Sequence, residues 1–214
     1  FIALISAADH FKERNDIRET WLIHLKSALE KNLLGMGTRF GFFLGQTRND
    51  SIQKRIEEES QKHGDIVQIE MDDSYRNLTL KGIAVLNWVR QHCAKVDLVF
   101  KVDDDVYVNV HNLGHFVRSN YQSNNSVFGY PLHQTYPIRY NSKYYIPLEE
   151  YPWSHYPNYV SGPAYFMHAS VVIPLLAASQ TIPFNPFEDV FLTGMCTEKA
   201  GVKMRYSAGS PRFL

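Results

Sequence analysis

The chain has 214 residues, enough for one sizeable core, and its 44% hydrophobic and 21% charged residues are those of a folded globular domain. Lys+Arg and Asp+Glu both number 22, so no bulk charge marks a nucleic-acid partner. No apolar run reaches the roughly 18 to 20 residues that a membrane helix needs. Aromatic residues are the unusual component, with 13 Tyr, 13 Phe and 3 Trp.

The sequence opens on FIALISA without an initiator Met and stops at GSPRFL, so we expect a piece of a longer protein, truncated at both ends, whose signal or anchor would lie upstream. FIALIS reads as a strand, and Ile17, Trp21, Leu25 and Leu29 then recur at helical spacing. TRFGFFLG is the next strand, and DSIQKRIEEESQKHG is a helix capped by Asp50 or Ser51 and stopped by Gly64. DIVQIEM makes a third strand, a helix runs from about Asn77 to Cys93, and VDLVFKV makes a fourth strand. This alternation predicts an α/β fold with a mainly parallel sheet, whose ligands bind beyond the carboxyl ends of the strands.

From about residue 128 the texture changes. Residues 130–165 hold nine of the 13 tyrosines and six of the ten prolines, which predicts a long structured loop or irregular β region. A helix at ASVVIPLLAAS, another from Glu188 to about Ala200 and a final strand at VKMRY complete the pattern. Cys93 and Cys196 lack metal-ligand spacing, and buried thiols and a disulfide are equally good readings. Sequons at Asn49, Asn77 and Asn124 lean weakly toward a secretory compartment.

The chemistry concentrates in KVDDDVYVN, directly after the fourth strand. In extended backbone Asp103 and Asp105 point one way and Asp104 the other, so two carboxylates can converge on one hard cation such as Mg²⁺ or Mn²⁺. A solvated turn would also tolerate the triplet. An EF-hand is excluded, because Val108 stands where its glycine is required. Arg14 and Arg18 lie at i, i+4, mildly repulsive unless an anion sits between them, and beside a bound diphosphate they would make a clamp. Asp73 and Lys81 follow the third strand. Glu188 and Asp189 at a helix start either stabilise that end or supply a general base. The stretch YPWSHYPNYVSGPAY, with Trp153, Tyr159 and Gly162, suits the stacking and hydrogen bonding of sugar rings.

Taken together and in order, RNDIRETW, FFLG, EEESQKHGDIVQIEMDDSYRNLTLK, KVDDDVYVN, YPNYVSGPAYFMHAS and FEDVFLTGMC resemble the β-1,3-galactosyltransferases and β-1,3-N-acetylglucosaminyltransferases of the animal Golgi. The resemblance implies a GT-A fold, a Rossmann-like sheet binding a UDP-sugar and Mn²⁺. Residues 1–127 would form the nucleotide-sugar half and 128–214 the acceptor half of one catalytic domain. It further implies Asp105, with Asp103, at the metal, Asp103 and Asp104 near the ribose and donor sugar, and Arg14, Arg18, Asp73 and Lys81 around the nucleotide. Asp189 would be the catalytic base with Glu188 beside it, and Trp153, Tyr159 and Gly162 would lie on the acceptor side. A Golgi type II protein with a lumenal catalytic domain, moving galactose or an N-acetylhexosamine onto a glycan, is the expected whole; membrane contact would be only through an upstream anchor. In some relatives a histidine beyond this chain's last residue completes the metal site. A glycoside hydrolase would need no basic clamp, a metal-dependent phosphodiesterase leaves the aromatic region unexplained, and a non-catalytic or weakened sugar-binding relative would be expected to lose Asp105 or Asp189.

Overall fold

A computed structural model of the chain describes residues 1–31 and 37–206. The expected α/β architecture is the one adopted. The elements run β1 (Ile2–Ile5), α1 (Phe11–Glu19), α2 (Trp21–Glu30), β2 (Phe40–Gln46), α3 (Asp50–His63), β3 (Ile66–Asp72), α4 (Leu78–His92), β4 (Leu98–Asp103) and α5 (Val110–Asn120). They continue with β5 (Ser126–Leu132), β6 (Tyr159–His168), α6 (Val172–Ser179), a wide helical segment (Val190–Cys196), α7 (Thr197–Ala200) and β7 (Lys203–Tyr206).

These strands make one seven-stranded sheet in the order β3-β2-β1-β4-β6-β5-β7. The first four are mutually parallel, β6 runs antiparallel to β4 and β5, and β7 is parallel to β5. Side-chain alternation builds a core on each face. Ile2, Leu4, Phe42, Phe100 and Val102 pack under α1, α2 and α5, while Ala3, Ile5, Phe43, Val99 and Tyr165 pack under α4 and α6. A smaller aromatic core of Tyr151, Tyr156, Tyr159 and Phe187 lies under the long connection between β5 and β6.

Several boundaries differ from the sequence expectation for local reasons. The first helix is two helices, broken at Thr20, whose hydroxyl bonds back to the Asp16 carbonyl at 2.6 Å. Asn49, rather than Asp50 or Ser51, caps α3, its side-chain oxygen accepting from the backbone N–H of Ser51 and Ile52. Gly64 does stop that helix, in the left-handed conformation at φ 64. α5 was not expected. Its signals are local: Asn109 accepts from the Asn112 backbone N–H, and Val110, Leu113 and Phe116 form a buried stripe. The helix expected from Glu188 to Ala200 is mostly a π-type turn, in which the Thr193 hydroxyl draws on the Asp189 carbonyl and the Thr197 hydroxyl on the Thr193 carbonyl. Cys93 and Cys196 are free thiols, and burial pushes Cys196 up to about 12.

The arginine pair is where a sequence expectation changes most. The anion between Arg14 and Arg18 is Glu59 of α3, at 2.8 Å from Arg14 and 2.6 Å from Arg18, and Arg18 also holds Asp65 at 2.8 Å. Arg14 is fully buried, and its remaining donors reach the Ser6 hydroxyl and the carbonyls of Ala7 and Ala8. Burial works against the Glu59 carboxylate, but the two guanidinium groups outweigh it and lower its pKa. Removing one partner of such a buried network strands the other charge. Glu59→Ala is therefore expected to destabilise the protein by about 3–5 kcal/mol in a denaturant titration. A loss under about 1 kcal/mol would contradict the assignment of Glu59 as the shared anion.

Candidate active site

The carboxyl ends of the strands bring two cavities together with the expected motifs. The larger, of about 530 Å³, is lined by Lys101, Asp103 and Asp105 from the end of β4, Ser161 and Gly162 from β6, and Glu188 and Asp189. Tyr75, Tyr136, Tyr144, Tyr156 and Tyr159 form its aromatic walls. The smaller, of about 420 Å³, lies beyond β1, β2 and β3 and is lined by Ala7, Ala8, Asp9, Gln46, Arg48, Asp72 and Asp73, among others.

The triplet divides as alternation predicts. Asp103 and Asp105 face the large cavity. Asp104 instead receives the His10 ring at 2.9 Å, behind the loop that follows β1. Burial opposes the charged imidazole, but the hydrogen bond and charge of Asp104 prevail and raise the His10 pKa. Asp104 is thus paired with His10 and, unlike its two neighbours, does not line the large cavity.

Asp103 is crowded. Its carboxyl is pushed up to about 6, chiefly by burial, with Glu188 and Asp105 adding repulsion and Lys101 opposing it. Lys101 lies on the same face of β4 two residues earlier, and its Nζ donates to Asp103 at 2.6 Å and to the Gly162 carbonyl at 2.7 Å. Glu188 stands 3.5 Å from the same ammonium and accepts a hydrogen bond from the Tyr165 hydroxyl. Glu188 is thus a buried carboxyl group held between Tyr165 and Lys101 beside the cavity it helps to line.

Asp189 is held by backbone instead. Its Oδ1 accepts from the Val190 N–H at 2.8 Å and its Oδ2 from the Gly162 N–H at 3.1 Å. Burial raises its pKa, and the two backbone donors and Lys101 work against that rise. The result is a carboxylate aimed by backbone, with lone pairs to spare and a basicity above the ordinary. A Cβ at Gly162 would stand 3.1 Å from Asp189 Oδ2, so glycine there admits the carboxylate.

The remaining expected residues separate by position. Asp73 lines the small cavity, held by Lys81 Nζ at 2.6 Å and the Gly45 N–H at 2.9 Å. Gly45 allows that approach, since a Cβ there would be 2.8 Å from the Asp73 Cβ. Lys81 is itself buried and spends its other contact on the Ser6 carbonyl at 2.8 Å. Arg14, Arg18 and Lys81 thus place their donors on internal acids and carbonyls, and Arg14 and Lys81 hold the loop after β1 that borders the small cavity. Tyr159 and Gly162 line the large cavity. Trp153 does not: it is half-exposed, its ring against Tyr151 and its carbonyl held by Arg139.

Among the described residues no three His, Cys, Asp or Glu side chains gather into a complete metal cage. The Asp103 and Asp105 pair nevertheless offers hard oxygen donors on one wall, the partial set with which Mg²⁺ or Mn²⁺ binds when water and a diphosphate fill the other positions. The pair fits a shared cation on the chemistry of its donors.

Sequence reasoning missed Lys101, Tyr165, His10, and the walls made by Tyr75 and Tyr144. Lys101 had a signal: it is the one charge in the apolar run LVFKV, and period two sets it on the side of Asp103. The others arise from contacts between distant segments. Tyr144 sits near Tyr75, with ring centres 6.3 Å apart, and Arg76 reaches both the Tyr145 carbonyl and Glu150, so the loop after β3 meets the long β5–β6 connection over the cavity.

The raised Asp103 pKa has a sign that can be tested. A folded-state pKa above the unfolded value means that the fold prefers the protonated acid, so stability falls as pH rises through about 6. Asp103→Asn, assayed in chelator, is expected to raise the thermal midpoint above wild type at about pH 8, with the difference shrinking as pH falls through about 6 and closing only below the ordinary carboxyl value of 3.8. A lower midpoint for Asp103→Asn at the higher pH would contradict the crowding described.

Comparison with known proteins gives the family. The family model described as galactosyltransferase matches residues 12–207. β-1,3-Galactosyltransferase 5 of Homo sapiens is 32% identical over 217 residues, covering 100% of this chain and 68% of its own length. UDP-GlcNAc:βGal β-1,3-N-acetylglucosaminyltransferase 7 of Mus musculus is 38% identical over 218 residues, covering 99% of this chain and 54% of its own length. An acetylgalactosaminyl-O-glycosyl-glycoprotein β-1,3-N-acetylglucosaminyltransferase of Homo sapiens is 31% identical over 208 residues, covering 94% of this chain and 52% of its own length. With its sheet, its paired acids and its matched motifs accounted for, the chain belongs to the galactosyltransferase family and is a glycosyltransferase.

Proposed function

We propose that the protein is an inverting hexosyltransferase that moves galactose, or an N-acetylhexosamine, from a UDP-sugar to the 3-hydroxyl of a glycan acceptor, forming a β-1,3 linkage. The observation that carries this reading is Asp189. It lies in the same cavity as Asp103 and Asp105, with each of its oxygens fixed by a backbone N–H. One aimed base on one side and an acidic pair on the other match the needs of a single displacement. The acceptor hydroxyl gives its proton to Asp189 as its oxygen bonds to the anomeric carbon. The bond from that carbon to the diphosphate breaks, and the electron pair leaves with UDP.

A divalent cation, Mn²⁺ by preference, held by Asp103 and Asp105 would supply positive charge to the departing diphosphate. The tyrosines of the cavity walls give the acceptor flat faces and hydroxyl tips. The small cavity, with Asp73 on its wall, suits the nucleoside end of the donor. The 38% identity to an N-acetylglucosaminyltransferase favours N-acetylglucosamine as the alternative donor. The family likeness and the sequons support a Golgi type II protein with this domain in the lumen and its anchor upstream.

The test uses the whole protein with Mn²⁺, screened against UDP-Gal, UDP-GlcNAc and UDP-GalNAc with β-linked acceptors. Transfer from one donor, lost in chelator, is expected. Asp189→Asn should lower kcat by about 100- to 10,000-fold while UDP still binds. An Asp189→Asn protein with wild-type kcat would remove the base from this reading.

A further inference from the structure

We infer that Lys101 is a positioning residue for transfer, a tether that fixes the triplet and the base Asp189 in one frame by way of the Gly162 peptide. The inference rests on the transferase reading above and assigns a role to a side chain that touches neither reacting atom.

The geometry is a relay through one backbone residue. Lys101 Nζ donates to Asp103 Oδ1 at 2.6 Å on its own strand and to the Gly162 carbonyl at 2.7 Å on β6. The N–H of the same Gly162 donates to Asp189 Oδ2 at 3.1 Å. The acid wall and the base thus share one support, and the ammonium joins its two sides. Glu188 lies farther from the ammonium, at 3.5 Å, with Tyr165 holding it from the other side.

A cation that served only to neutralise Glu188 would sit closest to Glu188. Here the short bonds go to Asp103 and to a neutral carbonyl, so direction matters as well as charge. β4 and β6 are paired side by side, with Lys101 opposite Tyr165 in the register, which gives the tether a rigid base. At Gly162 there is no slack, because a Cβ would already press on the Asp189 carboxylate. When the ammonium is lost, the Gly162 carbonyl and Asp103 lose a shared donor, and Asp189 loses the fixed reference for its N–H contact.

Three variants of the whole protein separate this role from simple core packing: Lys101→Met, Glu188→Gln, and the pair together. The double variant removes one positive and one negative charge, so it keeps the cluster's charge balance and its thermal midpoint even if Lys101→Met alone unfolds. In Glu188→Gln alone, Lys101 keeps its bonds to Asp103 and Gly162. The expected result is a kcat for the double variant about 100-fold below wild type and at least about tenfold below Glu188→Gln, with the donor KM within about threefold of wild type. A folded double variant with the kcat of Glu188→Gln would overturn the tether, as would a loss confined to the donor KM. A wild-type protein that transfers no sugar from any donor would instead overturn the transferase reading, and the tether with it.

Discussion

Four carboxylates, Asp103, Asp105, Glu188 and Asp189, line one cavity, and left to themselves they would repel one another. The fold keeps them together with the buried ammonium of Lys101, bonded to Asp103 and standing 3.5 Å from Glu188. Burial disfavours the charged form of Lys101, yet the surrounding acids outweigh this and raise its pKa. A cation so placed is fixed by the cluster it fixes, since removing either side leaves an uncompensated charge. The cancellation is incomplete: Asp103 and Asp189 remain raised, chiefly by burial, with Lys101 only partly opposing it.

The same device recurs around the site. Loops beyond strand ends have carbonyls without ladder partners, and here buried or half-buried cations take them. Arg14 holds the carbonyls of Ala7 and Ala8, Lys81 that of Ser6, and Arg139 those of Ile146, Tyr151 and Trp153. In each case the positive charge is spent on fixing loop backbone.

Much of this was legible in the sequence, and the parts that were not share a cause. The strands and most helices followed from local periodicity, and alternation alone separated Asp103 and Asp105 from Asp104. The tyrosine-rich segment was legible as a groove wall, although Trp153 turned out to pack outside it. What local pattern could not supply were partners set by the tertiary fold. Glu59 stands 45 residues from Arg14, His10 stands 94 from Asp104, and Glu188 faces Tyr165 across 23. The arginine pair looked like an anion clamp because its anion was invisible from its own helix. Lys101 was the exception, a lone charge in a buried strand whose direction period two already fixed.

The central claim is that one base, Asp189, opposite an acidic pair, drives a single displacement at the anomeric carbon. The stereochemistry of the new bond tests it most directly, because one displacement on an α-linked UDP-sugar must invert that carbon. The anomeric H1–H2 coupling of the first-formed product, read by proton NMR on the whole protein with its preferred donor, is predicted to be that of a β-linkage. An α-linked product would contradict the account, since a single displacement by the acceptor oxygen cannot retain the configuration of that carbon.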